Sequence, residues 1–137
     1  MALRIRRVEY FYTTVHDRPG EGFQILSRLA EGDVNLLAFN AVPIGPGHTQ
    51  LVLFPEHADK LVAAAQNLGL LLQGPNGALL VQGDDQLGAL ARIHERLFQA
   101  GINVYSSSGV TDGAGTFGYV FYLRPEDLDA GAKALGM

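Results

Sequence analysis

Cysteine is absent from all 137 residues, which removes disulfides, thiolate metal ligands and thiol nucleophiles. Basic residues are sparse and scattered, ten Lys and Arg against fourteen Asp and Glu. The net charge is −4, and Arg4, Arg6 and Arg7 form the only basic cluster, too small for a nucleic-acid footprint. No apolar run approaches a membrane span, and the stretch around Leu70, Leu71 and Leu72 falls far short of one. The first residues alternate charged and apolar side chains without the apolar stretch of a signal peptide. These absences lead to the expectation of a globular protein of the cytoplasm, with no nucleic-acid and no membrane partner.

Catalytic and metal-binding patterns are thin too. His16, His48, His57 and His94 form no HxH or HxxxH pair, so neither a metal nor another cofactor is expected. The glycine-rich segments 45–47 and 113–115 are followed by no lysine and open no helix, so they read as hairpin turns rather than phosphate loops. Serines 106–108 have no His/Asp constellation around them. Their alternation puts Ser106 and Ser108 on one strand face, as solvated surface or the wall of a wet pocket.

What the chain does have is an internal repeat. Residues 17–54 return, without a gap, as residues 85–122. Asp17 recurs as Asp85, Gly20 as Gly88, Ile25 as Ile93, Leu29 as Leu97, Asn35 as Asn103 and Val52 as Val120. A period this long exceeds a solenoid unit and reads as one small domain duplicated.

Each copy shows the same order of elements. In the first, a strand over 10–15 precedes a helical stripe of Gly22, Ile25, Leu26 and Leu29. Strands over 36–42 and 49–54 flank a turn at 44–47. A second stripe, Ala58, Leu61, Val62, Ala65 and Leu68, precedes a short strand at 70–73. The second copy has strands at 78–82, 103–110 and 116–123, with helices over 87–98 and 125–135. Asp84 or Asp85 is a plausible N-cap for its first helix. No strand follows the last helix. The fold expected is α+β: two tandem ferredoxin-like βαββαβ units, residues 1–74 and 75–137, the second lacking its last strand. Segment 75–77 reads as a turn that folds 70–73 back to cover the open edge, unless a partner chain supplies that strand. Three successive leucines there suit a strand buried on both faces.

The first strand–helix junction, Asp17-Arg18-Pro19-Gly20-Glu21-Gly22, combines close-approach glycines with a helix N-terminus and charges of both signs. That inventory suits a zwitterion, with an acidic acceptor for an ammonium and N–H donors for a carboxylate. It equally suits a plain tight turn, with Pro19 at the first helical position. Asn35 and Asn103, each opening a strand, offer two donors and an acceptor to a ligand, or bond their own backbone.

The run Asp17-x-Pro19-Gly20 followed by Val34-Asn35, and its second form Gly88-Ala89-Leu90 with Gly101-Ile102-Asn103-Val104, resembles the ACT domain. Gly88-Ala89-Leu90 also resembles a segment of the phenylalanine-binding regulatory domain of prephenate dehydratases. The resemblance spans nearly the whole chain as two copies. It implies a regulatory module, not an enzyme, that binds an amino acid or related metabolite near the first strand–helix loop and the second strand. On this chain it marks Asp17, Pro19, Gly20 and Asn35, with Asp85, Gly88, Ala89 and Asn103 in the second copy. Leu87 replaces Pro19 and Leu90 replaces Gly22, so the copies are unequal, and the first, with Arg18 and its extra glycine, is the expected site. A homodimer and a regulated metabolic enzyme are the implied partners. The rival readings are a ligand-free interaction module and a small enzyme on a ferredoxin-like scaffold using His16, Asp17 and Asn35.

Overall fold

The computed structural model describes residues 3–137. It is an α+β protein with a six-stranded sheet in the order β2-β3-β1-β4-β6-β5. The elements are β1 (Leu3–His16), α1 (Glu21–Glu31), β2 (Leu36–Pro43), β3 (His48–Pro55), α2 (Ala58–Leu68), β4 (Gln73–Asp84), α3 (Ala89–Gln99), β5 (Ser106–Thr111), β6 (Thr116–Tyr122) and α4 (Leu128–Ala134). A single 3₁₀ turn, Pro125–Asp127, leads into α4.

The described residues divide into two compact units, one of residues 9–76 and one of residues 77–137 together with residues 3–8. Strands β1 and β4 each contribute to both. In the 9–76 unit, β3 pairs antiparallel with β2 and with β1, where Phe11 faces Leu53 and His16 faces His48. Its core joins Phe11, Val15, Leu51 and Leu53 of the sheet to Ile25 and Leu29 of α1 and Leu61 and Ala64 of α2. In the other unit, β6 pairs antiparallel with β4 and β5. Leu79, Val81, Phe117, Tyr119 and Phe121 there meet Ile93 and Leu97 of α3 and Leu128 and Ala132 of α4.

Strand β1 explains how one strand serves two cores. Side chains alternate across a strand, so the odd positions share a face. Leu3 and Ile5 pack against the core of the 77–137 unit, whereas Phe11 and Val15 belong to the other core. Between them Arg7 and Glu9 are exposed, and Arg7 forms an ion pair with Asp129 of α4.

The structure departs from the sequence expectation at several points. Residues 70–72 form no strand: Leu70 and Leu72 pack as loop residues against the 9–76 core, and Leu71 is 80% exposed. Segment 75–77 is no turn either, because β4 runs unbroken through it, with a cis bond at Gly74–Pro75. No strand follows α4, as expected of the second copy, and what differs is the segment at its open edge. The start of β1 lies beside β4, in the place given to residues 70–73 or to a partner chain. Passage of β4 past α4 depends on Gly77, where an added Cβ would stand 2.5 Å from a Leu128 methyl. Neither Asp84 nor Asp85 caps α3, and Pro19 does not open α1. The N-caps are Gly88 and Gly20, at φ 80° and 85°, a left-handed conformation that glycine adopts freely.

Candidate functional site

The two junctions are built alike. After β1, the Asp17 N–H donates to the Gly47 carbonyl at 2.9 Å, and after β4 the Asp85 N–H donates to Gly115 at 2.9 Å. Each bond ties the junction to the hairpin turn of its own unit. No side chain caps α1 or α3, so part of the first-turn N–H inventory of each helix is left for solvent or an anion.

Beside each junction lies a cavity, at equivalent positions of the two copies. The first, about 250 Å³, is lined by Asp17, Arg18, Glu21 and Gly22 with Ala41 and Thr49 on the sheet. The second, about 650 Å³, is lined by Asp85, Gln86, Ala89 and Leu90 with Gly109 and Phe117 on the sheet. The difference follows from substitutions between the copies. Arg18 and Glu21 form an ion pair at 3.3 Å across the first loop, whereas Gln86 and Ala89 at the matching positions cannot. Gly109 in place of Ala41 and the ring of Phe117 in place of Thr49 make the floor of the second cavity apolar. A third cavity of about 340 Å³, lined by His16, Glu21, Gln24 and Arg28, lies along α1.

The structure places the candidate residues in separate groups. Asp17, Arg18, Glu21 and Gly22 share the first cavity, with Pro19 and Gly20 in the loop above α1. Asp85, Gly88 and Ala89 share the second. Within its own unit, Asn35 is not brought to the junction. It stands at the Pro55 end of β3, whereas Asp17 is tied to the turn at the His48 end, about 23 Å away along the strand. Asn103 likewise lies exposed beyond the Tyr122 end of β6, opposite the Gly115 turn that holds Asp85.

Arg92 and Tyr119 were not singled out by sequence. Arg92 donates to the Leu87 carbonyl at 3.4 Å and to the Gln86 side chain at 3.3 Å, steadying the second loop from within α3. The Tyr119 hydroxyl meets His94 Nε2 at 2.6 Å, and its ring lies over Gly109, where a Cβ would come within 2.7 Å. Arg92 stands four residues after Gly88, on the same helix face, which is the spacing that would have flagged it. His16 and His48 are cross-strand partners with ring centres 5.1 Å apart, a pairing that no local spacing reveals.

No family model and no curated protein matches the chain. Solved structures do match its fold. Protein BT0572 from Bacteroides thetaiotaomicron superposes with a TM-score of 0.81 at 16% identity, covering 96% of this chain and 88% of that one. The ligand-free regulatory subunit of aspartate kinase from Thermus thermophilus gives 0.71 at 14% identity, covering 97% and 93%. The corresponding subunit from Thermus flavus gives 0.69 at 14% identity, covering 98% and 93%. No helix among the described residues is long and apolar enough to cross a membrane. The chain shares its fold with aspartate kinase regulatory subunits, the ACT-type fold that the sequence resemblance implied.

Proposed function

We propose that this chain is a non-catalytic regulatory module of the cytoplasm that binds an amino acid or related small metabolite at a strand–helix junction. It is read as two tandem ferredoxin-like βαββαβ units, the second completed by the start of β1. The observation that carries the reading is the cavity at each of two equivalent junctions, in a fold shared with the regulatory subunit of aspartate kinase. Asp85 supplies an acceptor for an ammonium group, the uncapped first turn of α3 supplies donors for a carboxylate, and the floor of Gly109 and Phe117 accommodates a side chain. The second junction is the principal site, because the first is narrowed by its own Arg18–Glu21 ion pair. Asp17, Arg18, Gly20, Glu21 and Gly22 form a secondary site for a smaller ligand. Asn35 and Asn103 contribute only if a neighbouring surface completes the pocket.

Ligand binding shifts the population of packing arrangements by no more than its differential affinity for them. A homodimer fits the exposed apolar side chains on edge strands, Val42 and Phe39 on β2 and Val110 on β5, and a metabolic enzyme is the partner to be regulated. The reading of a pure interaction module draws on exposed Phe23 and Phe98, at 75% and 80%.

A thermal-shift titration of the full chain against the twenty amino acids tests the proposal. One amino acid, or a few, is expected to raise the melting temperature progressively with its concentration, corresponding to about 2.7 kcal/mol of added stability at a hundredfold excess over Kd. Thr111→Trp, at an exposed position on the cavity rim, is expected to abolish that shift, and Ala41→Trp to leave it in place. No shift from any amino acid overturns ligand binding and favours the interaction module.

A further inference from the structure

His16 ends β1 and His48 begins β3, and the antiparallel register sets them directly opposite each other. Both side chains are exposed, and their ring centres lie 5.1 Å apart with planes inclined by 36°. His48 Nδ1 lies 3.2 Å from the Pro46 carbonyl. A carbonyl oxygen only accepts, so this nitrogen carries the proton in that bond. In the neutral ring, Nε2 is then left with a free lone pair. A metal-binding histidine is oriented in this way when its other ring nitrogen donates to a backbone carbonyl.

The spacing fits a metal as well. A zinc ion about 2.1 Å from an imidazole nitrogen lies about 3.2 Å from the ring centre. Two such rings at a tetrahedral angle of about 109° have centres about 5.2 Å apart. The observed separation matches that value.

We infer that His16 and His48 form a two-histidine site for a first-row divalent metal of the zinc class. Imidazole nitrogens suit zinc, copper and nickel, whereas calcium and magnesium require oxygen ligands. Among the described residues no group of three or more His, Asp or Glu side chains gathers, so the protein provides two ligands and leaves the other positions open. His16 also lines both cavities at the first junction. A cation there stands beside a pocket sized for a small chelating ligand. The site occurs once per chain, because Asp84 and Thr116 occupy the matching positions of the second copy.

Equilibrium dialysis of the full chain against zinc chloride is the test. One zinc per chain is expected to bind with micromolar affinity. His16→Gln and His48→Gln are each expected to weaken it tenfold or more, while His57→Gln and His94→Gln leave it unchanged. Cobalt(II) added to the wild-type chain provides a readout independent of any variant, with the intense visible absorption of a four-coordinate site expected. Zinc binding that survives both substitutions, or wild-type protein that binds no stoichiometric zinc at millimolar concentration, overturns the inference.

Discussion

The Asn35 side-chain amide donates to a Glu56 carboxylate oxygen at 2.7 Å, and the Glu56 N–H donates to the Asn35 carbonyl at 2.8 Å. This reciprocal pair clamps the start of β2 to the segment that leads from β3 into α2. Asn35→Ala is expected to destabilise the protein by about 1 kcal/mol, since one net hydrogen bond to a charged but exposed partner is lost. Urea denaturation measures that loss. Amino-acid binding at the second junction is expected to be unaffected, and an Asn35→Ala protein that keeps full stability would contradict the clamp.

Ile5 packs on the 77–137 core from the far end of the chain. Ile5→Asp places a carboxylate at a partly buried apolar position and is expected to cost roughly 1–3 kcal/mol. Hydrogen exchange locates the damage. Amides of β4 and β6 from residue 77 onward are expected to exchange faster, with the β2–β3 ladder much less affected. Uniform acceleration in both units would argue against this placement of the strand.

Gly77→Val tests the close approach of β4 to α4. The added methyls meet Leu128, whose side chain is buried, and overpacking of this kind typically costs about 1–3 kcal/mol. A second substitution, Leu128→Ala, removes the obstructing methyls. The double variant is expected to recover part of the Gly77→Val loss, as read from a double-mutant cycle of urea midpoints.

Two surface carboxylates titrate below their ordinary value of 3.8. Asp33 is held down by the hydrogen bond and the charge of Lys60, and Asp112 by the Thr116 hydroxyl and the N–H groups of Ala114 and Thr116. A depressed folded-state pKa stabilises the protein at pH above the unfolded value, and that stability disappears as pH falls through the folded value. Lys60 is raised above 10.5 by the same Asp33 contact, so its contribution is complete below that value and is lost as pH rises through its folded pKa. Urea midpoints are therefore expected to fall at both extremes. Asp33→Asn flattens both limbs, whereas Asp112→Asn flattens only the acid one. All three groups are solvent-exposed, so the effects are small and screened by salt.

Helices and hairpins were legible because their signals are local. The stripe of Ile25 and Leu29 and its copy Ile93 and Leu97 marked α1 and α3, and the glycines at 45–47 and 113–115 marked the turns. The misreading lay where local signals compete with tertiary context. Leu70, Leu71 and Leu72 looked like a buried strand, yet the chain needs them as the loop between α2 and β4. Alternation of Leu3 and Ile5 with arginines is a period-two strand pattern, but nothing local in it names β4 as the partner. Which side chains line a cavity depended on exchanges such as Glu21 for Ala89, whose consequence is volume. Volume appears only once the sheet sits beneath the helix.

Strand β1 is 14 residues long, and its two halves complete cores whose other parts lie at different distances along the chain. For the 9–76 unit those parts follow within one contiguous stretch, so loop closure is short and assembly is local. The 77–137 unit closes only when Leu3 and Ile5 return to partners some seventy or more residues downstream. Contacts of that separation slow folding, because chain entropy is spent before they form. The molecule is therefore expected to fold in order, with residues 9–76 first. The start of β1 then stays unpaired until β4 and the second half arrive beside it.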